Sequence, residues 1–199
     1  TSTGQASRAF LREEILRAVD QLLGERPWSE ITMSHIAAAA DVSRQTLYNA
    51  LGSRDDFVGA YVLWAADQFL DEVERAVADH RHDLRAALRA AFELFLTLVG
   101  DHALIRGLEA TSGTEGLLAL AAPNTGSVVV EATTDRLEGI IRTTWPELTD
   151  APIRRIAEVL VRLALSHLLM PTSTPAEAAE QVTEVLTPLL DALTAALPS

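Results

Sequence analysis

Apolar residues recur at three- and four-residue spacing along nearly the whole chain, and this regularity constrains the fold more than any other feature. A period near 3.6 lines those residues along one face of a helix, whereas a half-buried strand needs alternation at every second residue. Glycine is sparse and β-branched runs are short, so strand signals are nearly absent and the fold class is all-α. The spacing predicts a first helix over about 7–23, with Leu11, Ile15, Leu16, Val19, Leu22 and Leu23 on one face, stopping at Gly24 ahead of Pro27. Trp28 and Ile31 then read as loop residues dropped into a core. A short helix opens on Thr32 as its cap and ends at a tight turn on Asp41, and a second, about 44–51, opens on Ser43. Gly52-Ser53 separates it from a long helix running from Arg54 towards Asp79, and further helical patterns cover about 84–99, 102–110, 125–144, 152–169 and 175–196.

At 199 residues and 48% hydrophobic content the chain can build a real core, and its organisation reads as a helix-turn-helix head, residues 1–54, followed by a larger helical body, 55–199, for regulation and dimerisation. Apolar runs are broken by Arg, Glu or Asp well before the roughly 18 uninterrupted residues of a membrane span. No membrane partner and a cytoplasmic location are therefore expected. Cysteine is absent, which removes disulfides, thiol nucleophiles and thiolate metal sites together. All sixteen basic residues are arginine, so Schiff-base and P-loop lysine chemistry is impossible. Gly-x-Ser-x-Gly and His-Glu-x-x-His patterns are also missing, and no enzyme activity or cofactor is expected. The pair His80 and His82 sits in a solvated junction rather than a metal site, and the small residues Ser112 to Gly116 lack the strand and lysine of a nucleotide loop.

A net charge of −12 argues at first against a polyanionic partner, but its distribution matters more. Residues 1–64 hold six Arg against eight acids, net −2, and the rest holds ten Arg against twenty acids, net −10. The helices at Thr32 to Ala40 and Ser43 to Leu51 have the lengths of a DNA-reading pair, although such pairs also occur in ordinary core packing. The second helix carries the chemistry: Ser43, Arg44, Gln45 and Thr46 are types that bond base edges or phosphates, Tyr48 and Asn49 follow, and Leu47 and Leu51 face inward.

The string from Ile36 to Tyr48, with Leu51, Ser53, Arg54 and Phe57, resembles the tetracycline-repressor (TetR) family over about residues 8–60. The resemblance implies that the helix from Arg44 to Ala50 enters the major groove, that Tyr48 binds phosphate, and that Arg54 replaces the usual backbone-clamping lysine. It also implies a dimer whose body binds a ligand that spreads the heads and releases the operator. The DNA-contacting set is then Thr32, Ser43, Arg44, Gln45, Thr46, Tyr48, Asn49 and Arg54, with Arg44 and Gln45 on bases. Three positions depart from the family pattern: Asp41 replaces a usual Gly, Ala50 a frequent phosphate-touching Tyr or His, and Leu51 a common Phe. The loss at Ala50 implies fewer phosphate contacts and a modest salt slope.

In the body, the stripe Ile153, Ile156, Leu160, Leu163, Ala164, His167 and its counterpart Val182, Leu186, Leu189, Leu193, Leu197 suit a four-helix homodimer interface, or the closure of the monomer's own core. The resemblance favours the homodimer through the last two helices. Phe92 and Phe95 lead a mostly aliphatic lining fit for a small hydrophobic effector, with Arg106, Glu109, Trp145 and His167, and further His102 and Arg162, as polar or aromatic orienting groups. The reading is a ligand-responsive repressor on a palindromic operator; the alternative is constitutive DNA binding or activation without a ligand.

Overall fold

The computed structural model describes residues 2–52, 54–102, 123–148 and 151–195, and all regular structure in them is helical. The elements are α1 (Ser2–Glu25), a 3-10 turn (Trp28–Glu30), α2 (Met33–Ala39), α3 (Arg44–Leu51), α4 (Arg54–Asp79), α5 (Leu84–Asp101), α6 (Pro123–Thr144), α7 (Ile153–Leu169) and α8 (Pro175–Thr194). The pattern expected over 102–110 lies outside the described residues beyond His102.

Two helices run further than the sequence pattern indicates. α1 begins at Ser2 and passes through Gly24, and α5 passes through Gly100. Glycine in a helix costs only about 1 kcal/mol relative to alanine and breaks nothing by itself. The stop after α1 is Pro27, whose ring disfavours helical backbone at Arg26 and which has no N–H to donate. Pro27 is extended, at φ −67° and ψ 153°, and the chain turns there into the 3-10 segment.

The chain divides into two compact units that share α4: residues up to Ala65 together with His102, and Ala66–Asp101 together with the residues from α6 onwards. In the first unit α1 packs on α2 and α3, with Ile15, Leu16, Val19, Leu22 and Leu23 of α1 buried, as are Ile31, Ile36, Leu47 and Leu51. The opening turns of α4 add Phe57 and Tyr61, both buried. Trp28 stacks on Phe57 with ring centroids 5.9 Å apart and planes 7° from parallel, which fixes the 3-10 turn to α4.

The second unit has two adjoining apolar clusters. One joins Leu70, Val73 and Val77 of α4 to Leu84, Ile140, Trp145, Leu148, Ile153 and Leu190. The other joins Phe92 and Leu96 of α5 to Ala164 of α7 and Ala178, Ala179 and Val182 of α8. Small residues at 164, 178 and 179 let these helices approach closely. On the surface, Arg136 of α6 reaches three acids of α4, Asp71 at 2.7 Å, Glu74 at 2.8 Å and Asp67 at 3.5 Å, and Arg85 pairs with Asp191. α8 opens on a capping box in which Thr174 accepts from the Glu177 amide and Glu177 accepts from the Thr174 amide at 2.9 Å. The Thr174 amide, and then the Thr174 hydroxyl, both donating to Glu177 Oε2 at 2.9 Å, hold the Glu177 carboxyl below the usual carboxylate range.

Candidate nucleic-acid interface

The site is built from two short helices whose ends are set by side chains. Thr32 is extended at φ −104° and ψ 160°, and its hydroxyl accepts from the His35 amide at 3.2 Å. The Thr32 amide in turn donates to His35 Nδ1 at 3.3 Å, so histidine fills the role that Glu or Gln has in the usual capping box. Sequence reading missed His35, although the Thr-x-x-His spacing carries the signal. At the other end of α2, Val42 N donates to Ala37 O at 2.9 Å and Asp41 N to Ala38 O at 3.3 Å. That pair of bonds is a Schellman closure, and it requires the residue past the helix to adopt the left-handed region. Asp41 does so, at φ 51°. A short polar side chain tolerates this conformation at a cost of about 1–2 kcal/mol, and Asp41 thereby keeps the turn without the family's glycine.

α3 starts one residue later. Ser43 is extended, and its Oγ accepts from the Thr46 amide at 3.0 Å while lying 2.8 Å from Thr46 Oγ1. Leu47 and Leu51 are buried on the inner face. Arg44, Gln45, Tyr48 and Asn49 are exposed together on the outer face, as spacing i, i+1, i+4, i+5 dictates. Arg44 forms no ion pair among the described residues, so its five donors remain available. Gln45 Nε2 donates to Asn49 Oδ1 at 3.0 Å, which aligns the two amides and leaves the Gln45 oxygen and the Asn49 amide N–H groups outside that bond. Tyr48 is 41% exposed, unusual for a residue of its size in so small a helix. Arg54 opens α4, and its side chain lies outside the described residues.

An outer face of guanidinium, two carboxamides and a phenol, without a carboxylate, matches what base edges and phosphates accept and donate. The caps matter because Ser43 and Thr32 use their hydroxyls to satisfy backbone N–H groups. They are structural anchors here, and both residues remain exposed.

The residues predicted to orient an effector are scattered. Phe92 is buried on α5 and meets the ring of His167 on α7 edge-on, with centroids 5.8 Å apart and planes at 87°. Phe95 packs between the two apolar clusters of the second unit. Trp145 is buried in the first of those clusters, and its Nε1 donates to Arg81 O at 2.7 Å, so its one donor is already used. Arg162 pairs with Glu158 on an exposed face. Arg106 and Glu109 lie outside the described residues. Thr134 of α6, which the sequence reading did not single out, has a buried hydroxyl without a hydrogen-bond partner among the described residues.

Comparison with known proteins places this geometry. Residues 15–61 match the bacterial regulatory proteins of the tetR family, and residues 83–188 match the C-terminal domain of the bacterial tetracyclin repressor. The chain is 32% identical over 187 residues to the HTH-type transcriptional regulator AlkX of Mycobacterium tuberculosis, covering 94% of this chain and 88% of that protein. The crystal structure of the TetR family repressor AlkX from a Dietzia strain, implicated in biodegradation of n-alkanes, superposes with a TM-score of 0.79 at 30% identity, covering 90% of this chain and 97% of that one. At 23% identity, the TetR-family repressor FadR of Thermus thermophilus, solved with lauroyl-CoA, shares the fold with a TM-score of 0.58, covering 88% of this chain and 92% of that one. The capped recognition helix, the two matched regions and these relatives agree: the chain is a DNA-binding transcriptional regulator and belongs to the TetR family.

Proposed function

We propose that this chain is a cytoplasmic repressor that binds a palindromic operator as a homodimer and is released by a small apolar effector. The observation that carries the DNA reading is the outer face of α3, where Arg44 makes no ion pair among the described residues and Gln45, Tyr48 and Asn49 are exposed beside it. Arg44 and Gln45 read bases; Tyr48, Asn49 and Arg54 hold phosphates. Residues 1–54 form the DNA-binding domain and 55–199 the regulatory and dimerising one.

Dimerisation through α7 and α8 is supported by apolar surface that the monomer leaves uncovered. Ile153, Ala164 and Val182 are used up in the protomer's own core, while Ile156, Leu160, Leu163, Leu186, Leu189 and Leu193 are only half-buried. Val159 is 50% and Val185 73% exposed on the same two helices. A stable isologous pair buries about 800 Å² per partner, and a stripe of this length can supply it. Val185→Asp is expected to shift the protein to monomer in sedimentation and to abolish operator binding; an unaltered dimer places the interface elsewhere.

The effector is a linear aliphatic molecule. The residues packed around Phe92 and Phe95 are apolar, and the AlkX repressor of Dietzia is implicated in n-alkane degradation. The test is selection of random duplex DNA at low salt, followed by competition of the selected duplex with matched series of n-alkanes and saturated fatty acids. A palindromic consensus released by one chain length supports the reading. A consensus that no chain length releases identifies a regulator without such an effector, and no enrichment overturns the operator reading.

A further inference from the structure

The faces that α7 and α8 leave uncovered repeat with the spacing of a coiled coil. On α7, Ile156, Val159, Leu163 and Ser166 follow one another at three, four and three residues; on α8, Gln181, Val185, Pro188 and Ala192 follow at four, three and four. None of these residues is buried, and Val159 and Val185 keep 50% and 73% of their surface. Alternation of three and four lets a helix keep one seam turned towards another helix, and the charged residues that flank such a seam set the partner and its orientation.

The flanks of the two seams are opposite in sign. Arg155 and Arg162 stand immediately before Ile156 and Leu163 on α7, and Glu184 and Asp191 immediately before Val185 and Ala192 on α8; all four are exposed. The bias runs through each helix, since α7 has three Arg against one Glu and α8 has four acids and no basic residue. Arg155 and Glu184 make no ion pair among the described residues. Arg162 is paired with Glu158 one turn earlier, an exposed contact of the kind that holds weakly, and Asp191 pairs with Arg85 but keeps 59% of its side-chain surface. Within the protomer α7 and α8 run antiparallel: Ile153 at the start of α7 shares a cluster with Leu190 near the end of α8, and Ala164 shares one with Ala178 and Ala179. Arg162 is therefore level with Glu184, and Arg155 with Asp191, to within a helical turn. A two-fold axis along a four-helix bundle leaves those levels unchanged and sets α7 of one copy against α8 of the other. Packing α7 on α7 would instead bring arginine to arginine, and α8 on α8 acid to acid.

We propose that Arg162 pairs with Glu184 of the partner subunit and Arg155 with Asp191 of the partner subunit, and that these charges select a second copy of this chain as the partner. The inference rests on the dimer reading above. It adds which helix meets which, and that a helical body with other charges beside its seam is rejected.

The test uses the full chain, unaltered and as Arg162→Glu, Glu184→Arg and the two together. Sedimentation gives the dimer dissociation constant of each, and native mass spectrometry of mixtures, with one partner carrying a mass tag, counts mixed dimers. By symmetry each substitution acts twice in a dimer, so either single reversal is expected to weaken self-association on the order of tenfold, and the double reversal to restore it. The two single variants mixed together should pair with each other, whereas the double variant mixed with the unaltered chain should pair only with its own kind. That second mixture separates the arrangements, because α7 on α7 and α8 on α8 would favour the mixed dimer instead. Single variants that associate as tightly as the unaltered chain, or a double variant that mixes freely with it, overturn the pairing. If Val185→Asp leaves the dimer intact, the interface lies elsewhere, and it is the dimer reading that has failed.

Discussion

Gly52 ends the recognition helix, and replacing it with alanine should cost far more than one added methyl group suggests. Its φ of +79° and ψ of −145° belong to a region that is essentially closed to residues with a Cβ. Holding a non-glycine residue there costs about 1–3 kcal/mol. A Cβ at this site would lie 2.7 Å from Asp56 Oδ2 and 3.1 Å from Asp56 Cβ, so the Asp56 side chain must also move. Asp56 stands in the first turn of α4, where a carboxylate gains about 0.3–1 kcal/mol from the unpaired N–H groups. Against these costs, alanine narrows the unfolded ensemble and returns about 0.4–1 kcal/mol. The net expectation is a loss of about 1–3 kcal/mol, or about 2–12 °C in melting temperature for a chain of this size. Gly59, inside α4, is the control: nothing lies within 4 Å of a Cβ added there, so Gly59→Ala should be neutral or stabilising by up to about 1 kcal/mol. Thermal unfolding of both variants, followed by operator titration well below the transition, reads the difference. Gly52→Ala should also weaken operator binding in the folded protein, because the turn sets the angle between α3 and α4. Equal stability of the two variants would refute the argument from backbone conformation.

Arg44→Ala should relax base preference at one operator position and cost about 1–3 kcal/mol on the selected duplex with little effect on random DNA; equal loss on both would make Arg44 a phosphate contact. Arg54→Ala should weaken both duplexes alike and flatten the salt dependence by about one ion, read from titrations across a salt series. Phe57→Ala should cost about 3–5 kcal/mol, since it empties a fully buried site and unstacks Trp28; denaturant unfolding measures it, and a loss below 1 kcal/mol would mean the core collapses into the space. Asp20 Oδ1 lies 3.1 Å from His102 Nε2 and accepts from Tyr61 Oη at 2.7 Å, and these contacts hold its carboxyl below the unfolded value, so they stabilise the protein above the ordinary carboxylate range and are lost as pH falls through and below it. Asp20→Asn should therefore flatten the fall in melting temperature on acidification, and an identical acid profile would remove Asp20 from that balance.

The recognition unit was legible because its signals are local. Thr32 and Ser43 announce helix starts by their own hydroxyls, Leu47 and Leu51 mark the inner face by spacing, and Gly52 marks a stop that only glycine can make. Gly24 and Gly100 misled, since glycine marks a stop only where the backbone turns left-handed, and a run of residues cannot show where that happens. The effector residues were harder for a different reason. Phe92 meets His167 across 75 positions of sequence, and Trp145 spends its donor on a carbonyl 64 residues away, so neither residue type reveals whether it serves a guest or the core. Asp20, Tyr61 and His102 illustrate the limit most clearly. Asp20 sits in an amphipathic helix where a solvated acid is the ordinary reading, and Tyr61 and His102 follow it at equal intervals of 41 residues that no local rule connects. Only folding brings them to one oxygen. A DNA-binding head can be read from a short string because its chemistry faces outward from two helices. Groups such as these three lie far apart in sequence and gain their meaning only from contacts between helices.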